Sequence, residues 1–128
     1  MVNFLDLIGR IFISAVFLFS GVNKILQYSG TVQWMEGFGL PGFFLLPAIA
    51  LEIILPIFII IGYQTKLASS ILALFCLMTG FIFHFDLSNQ MQIIALLKNI
   101  GLAGGLLFLI ANGPKQYVLI KKKKYVRL

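Results

Sequence analysis

Six polar side chains stand where hydrocarbon would be expected: Arg10, Lys24, Glu52, His84, Lys98 and Asn99 each interrupt a long apolar stretch. Cations, a carboxylate, an imidazole and an amide inside such stretches could bind a polar head or an anion, or pass a proton. A membrane-buried ionisable group is expensive unless it meets a partner, so these residues are the first candidates for a ligand site or an intramembrane polar network. Catalytic sets are thin beside them. One histidine and one cysteine in the whole chain allow no internal disulfide, thiol pair or histidine-pair haem site, and they suggest no metal site. Cys76 reads as a packing residue. No serine–histidine–acid set, phosphate loop or redox-cofactor fingerprint occurs.

The elements that must carry these residues follow from composition. Sixty per cent hydrophobic residues, 11% charged and a mean hydropathy of +1.02 exclude an ordinary soluble domain. Four stretches, 5–27, 43–63, 66–85 and 90–111, are long enough to cross about 30 Å of hydrocarbon at about 1.5 Å per residue. None alternates like a strand, and the chain is too short for a closed barrel, so the backbone must be satisfied within helices. The expectation is an all-α integral membrane protein: a four-transmembrane-helix bundle over 1–113, a short interfacial segment between helices 1 and 2, and a basic tail over 114–128. The first stretch lacks a signal-peptide cleavage pattern and reads as a retained helix.

With four crossings, Lys66, Lys115, Lys121 to Lys124 and Arg127 fall on one side, with Arg10 nearest it. The positive-inside rule makes that side cytoplasmic, with both termini there. Lys121, Lys122, Lys123 and Lys124 supply much of the net charge of +6 and are expected to meet anionic lipid headgroups. Nothing beside this tail forms a nucleic-acid surface. The segment 28–42, "YSGTVQWMEGFGLPG", is broken by Gly and Pro, and 31–37 fits one interfacial turn with Trp34 at headgroup depth. An anchored loop and a lid over the outer mouth both fit it.

Counting about 1.5 Å per residue from the cytoplasmic ends puts Arg10 about 8 Å in, Glu52 about 15 Å and Lys98 about 20 Å, with Lys24 and His84 near the outer surface. Glu52 and Lys98 would each cost about 2.5 to 3.5 kcal/mol facing lipid, so they are expected to pair, as a structural staple or as part of a site. Pro56 lacks the amide that would bond the Glu52 carbonyl, leaving a second acceptor for Lys98. Asn99 is expected to bond another helix or trapped water. Gly21, Gly80, Gly101 and Gly105 lie on small-residue stripes suited to close helix packing. Setting Arg10, Lys24 and Lys98 against Glu52 leaves two positive charges, a field that would suit an anion or a carbonyl.

The pieces "SGVNKI" (20–25), "GLP" (39–41), "ALE" (50–52), "GYQTKLAS" (62–69), "FIFH" (81–84) and "LKNIGLAGGLLFL" (97–109) resemble, in order and over nearly the whole chain, the DoxX family. The resemblance implies a multi-pass bacterial inner-membrane protein, related in the wider group to the DoxD subunit of thiosulfate:quinone oxidoreductase and to DoxX-containing membrane oxidoreductase complexes. The family's recurrent polar positions are matched at Arg10, Lys24, Glu52, His84, Lys98 and Asn99. The lysine-rich ending after Gly113 departs from the pattern. Two functions are therefore expected. One is a non-catalytic subunit of a membrane redox complex, without an intrinsic cofactor, that binds a quinone or small anion among those residues. The other is a binding or transport protein for a lipid-like or organic solute, with Glu52 and His84 as a proton path.

Overall fold

The computed structural model describes residues 1–115; the tail lysines Lys121 to Lys124 lie outside them. The described residues form helices and no strand. α1 spans Val2–Leu26, α2 Tyr28–Gly37, α3 Leu45–Ile61, α4 Thr65–Phe83 and α5 Gln90–Asn112, with a 3-10 turn at Gly42–Phe44 leading into α3. α1, the segment Gly42–Ile61, α4 and α5 are each long and apolar enough to span a membrane. The four expected stretches are thus the four long helices, their ends displaced by at most three residues.

Glycine and proline set where helices stop. At the end of α3, Gly62 takes a left-handed conformation (φ +80°), its amide bonds Ile59 O and the Tyr63 amide bonds Phe58 O, the paired closure of a Schellman motif. Gly39 ends α2 the same way, with φ +81° and bonds from Gly39 N to Glu36 O and Leu40 N to Met35 O. Pro41 then prevents the helix from resuming. α5 begins on Asn89, whose side chain accepts the Met91 amide at 3.0 Å, an N-cap. The interfacial segment is more than one turn: α2 runs over ten residues. Its buried Met35 packs with Leu45 and Ile49 of α3, while Trp34 stacks obliquely on Phe38 and Phe83.

The long helices lie in the order α1, α3, α4, α5, with extensive packing between successive neighbours and only slight contact between α1 and α5. The bundle is therefore an arc rather than a closed square. Its main core, built on Phe17, Ile59, Leu72, Cys76, Ala103 and Leu106, fills the inside of the arc. Most of the large apolar side chains outside it, such as Phe12, Phe19, Leu74 and Leu107, are exposed, as befits surfaces that meet lipid.

Candidate functional site

Arg10 is buried to 1% exposure, and its bonds fix both its place and the joint between α1 and α3. Nε donates to Asp6 Oδ2 at 2.9 Å, and Nη1 donates to the Ile60 carbonyl at 2.7 Å and the Ile59 carbonyl at 3.0 Å. These carbonyls sit at the C-terminus of α3, where helix dipoles favour a cation and where the last turn leaves acceptors unmatched. Asp6 Oδ2 also accepts the Lys115 amide at 3.0 Å. One carboxylate thus ties the start of α1 to the chain just beyond α5.

Glu52 pairs with Lys24, correcting the expected pairing with Lys98. Lys24 Nζ stands 2.7 Å from Glu52 Oε1 and donates to Ser20 Oγ at 2.7 Å. The contact is a close charge pair between α1 and α3. Glu52 is 2% exposed and the Lys24 side chain 26%, so the acid is inside and its base reaches in from the edge. Gly21 makes this possible, since a Cβ there would stand 2.9 Å from Ile53 Cγ1 and 3.3 Å from Glu52 Cβ. A side chain at that position would push α3 away and open the ion pair.

Lys98 is exposed on α5, and among the described residues no ion pair reaches it. Asn99, its neighbour, turns inward and donates to the Cys76 carbonyl at 3.1 Å and to Thr79 Oγ1 at 3.4 Å, the interhelical bond its type predicted. Gly80 is the reason α5 comes so close, because a Cβ there would meet Asn99 Cβ at 3.1 Å. Gly105 likewise admits Ile13 of α1, at 2.9 Å from a notional Cβ. Gly101 differs from the packing expected of it: nothing stands within 4 Å of its Cβ position. His84 Nδ1 lies 2.7 Å from Gln92 Oε1, joining α4 to α5 and standing apart from the Lys24–Glu52 pair. In the loop beyond it, the Ser88 hydroxyl and then the Ser88 amide hold the Asp86 carboxyl below its ordinary range.

Two pairings, Arg10–Asp6 and Lys24–Glu52, change the charge balance read from the sequence. The positive excess of two falls to one, carried by Lys98. Asp6 was readable as a partner from its i, i+4 spacing to Arg10, and Gln92 from its place one turn into the helix that faces His84.

Where α1 and α5 separate, a cleft of about 350 Å³ opens, bounded by Leu5, Ile13, Phe108 and Leu109 on its apolar walls and by Asp6, Arg10, Asn112 and Lys115 at its polar end. No three His, Cys, Asp or Glu side chains among the described residues gather as metal ligands would.

Four long apolar helices with internally paired charges define a multi-pass membrane protein. Residues 5–85 match the DoxX family model, and the chain belongs to the DoxX family. It is 36% identical over 111 residues to the inner membrane protein YqjF of Escherichia coli K12, covering 87% of this chain and 85% of that one. It is 30% identical over 115 residues to the inner membrane protein YphA of the same organism, covering 84% and 82% respectively. No solved structure matches.

Proposed function

We propose that this DoxX-family chain is a non-catalytic subunit of a membrane redox complex that holds a quinone-like amphiphile in the cleft between α1 and α5. The cleft itself carries the reading. Its volume of about 350 Å³ is at the small end of the range for ligand pockets. Its walls are apolar along the helices and polar at one end, the distribution of a ring head on an apolar tail. A small free anion fits less well, because Leu5, Ile13, Phe108 and Leu109 would give its charge no partner. Asn112 and Lys115 are the side chains that would meet the carbonyl oxygens, with the buried Arg10 behind them holding Asp6 in place. The proton-coupled transport reading has weaker support, since His84 bonds Gln92 and no contact links it to Glu52.

Gly9 gives the test. It lines the cleft, and nothing stands within 4 Å of its Cβ position, so leucine there should fill the cleft without disturbing the packing. A short-chain quinone at about 100 times its Kd should stabilise the wild type by about 2.7 kcal/mol in a thermal melt. Gly9→Leu should melt no lower without ligand, having lost a helix-interior glycine, and should lose the ligand shift. A shift that survives the substitution puts the ligand elsewhere, and no shift with any quinone leaves a scaffold.

The same reading places the Arg10 end of the bundle, with Lys66, Lys115 and the tail lysines, on the cytoplasmic side. Single cysteines added at either terminus should resist an impermeant thiol reagent applied to intact cells and react after lysis. Labelling from outside would reverse the topology.

A further inference from the structure

Among the described residues, Lys98 is the charge well inside the long helices that meets no ion-pair partner. Arg10 has Asp6 and the α3 carbonyls, and Lys24 has Glu52. Lys98 lies eight residues into α5 (Gln90–Asn112), about 12 Å below its outer end at about 1.5 Å per residue. Its side chain is on the outside of the arc, because α5 turns Leu96, Asn99 and Ala103 toward α4 and the core.

The chain has no carboxylate to offer it. Of the four acidic side chains, Asp6 is bonded to Arg10 and Lys115 and Glu52 is buried against Lys24. Glu36 lies in α2 and Asp86 in the loop before α5, outside the four long helices. A second copy would bring the same four acids in the same places, so self-association does not answer the charge. One turn further along the same face, Gly101 is exposed with open space above it, and Ile94, one turn the other way, is an exposed apolar neighbour. A bare stretch of backbone one turn from a lysine allows another helix to approach that lysine closely.

We propose that this face of α5 docks a transmembrane helix of a different membrane protein, and that the helix presents an aspartate or glutamate to Lys98. An anionic lipid headgroup is reached only if the Lys98 side chain extends outward along α5 from a Cα about 12 Å below the helix end, an outcome that crosslinking separates from docking. The inference deepens the subunit reading above and rests on it, but it does not depend on what the cleft binds.

The test uses the full-length chain in its native membranes, with a photo-crosslinking residue at position 101 and, as a control, at the exposed Leu74 of α4. Position 101 should yield one predominant adduct with a second membrane protein, the attachment mapping within a transmembrane helix close to an Asp or Glu. Position 74 should not yield it. Lys98→Glu should cut recovery of that protein in mild detergent by about tenfold or more, the effect of setting like charges together in a buried contact. Exchanging the partner's acid for lysine should restore recovery to Lys98→Glu. The purified Lys98→Glu chain should melt as the wild type does, separating lost docking from lost folding. If position 101 crosslinks only lipid or a second copy, Lys98 extends to the headgroups or self-associates, and the inference fails. If a partner is recovered but crosslinks from other faces and ignores Lys98→Glu, the inference fails while the subunit reading stands. If gentle purification recovers no partner protein, both fail.

Discussion

Replacing Arg10 with methionine should destabilise the protein by about 3 to 5 kcal/mol, the cost of removing one member of a buried charge pair and leaving the other. The substitution strands Asp6, takes the donor from the Ile59 and Ile60 carbonyls and loosens the joint between α1 and α3. Packing does not recover the loss, because methionine fills the space and bonds nothing. Arg10→Lys should fall between, since a single ammonium is poorly shaped to reach a carboxylate on one side and two carbonyls on the other. Reversible unfolding in mixed micelles measures both. An Arg10→Met protein within about 1 kcal/mol of wild type, the scale of an exposed pair, would show that the α3 terminus is satisfied without the guanidinium.

The sequence made the helices legible because length and hydropathy alone decide them in a bilayer, and the stops at Gly39 and Gly62 are set by local backbone chemistry. The pairing of charges was less legible, for a reason visible at Lys24. Counting residues gives the height of a Cα, whereas helical side chains lean toward the N-terminus. Lys24 therefore carries its ammonium one turn inward, to Ser20, and meets a glutamate that the count placed far below it. Lys98 was matched to Glu52 by height alone, but height carries no information about facing. Asn99, one residue on, is rotated by about 100° and does face α4. The small-residue stripes show the same limit. Gly21, Gly80 and Gly105 sit at close helix contacts and Gly101 does not, although all four have the same spacing signal. The cleft was not legible at all, because it exists only where α1 and α5, remote in sequence, fail to close the arc.

Disrupting the Lys24–Glu52 pair should be costly in an asymmetric way. Lys24→Met leaves Glu52, 2% exposed, with no cation beside it, and the cost should approach about 3 to 5 kcal/mol unless the carboxyl takes up a proton. Glu52→Gln should cost less, roughly 1 to 2 kcal/mol, because the partly exposed Lys24 can swing its ammonium outward on its methylene stem while Gln keeps the shape of the buried side chain. The double variant, Lys24→Met with Glu52→Gln, should lose much less than the sum of the two single losses, since neither charge then remains to be stranded. A second cycle pairs Glu52→Gln with Lys98→Met. There the effects should add within about 0.5 kcal/mol, the behaviour of sites without a shared partner. Unfolding free energies of all five variants in one micelle system decide the matter. Strong coupling to Lys98 would restore the pairing that residue heights suggested, and equal costs for Lys24→Met and Glu52→Gln would mean that burial of the acid does not govern the pair.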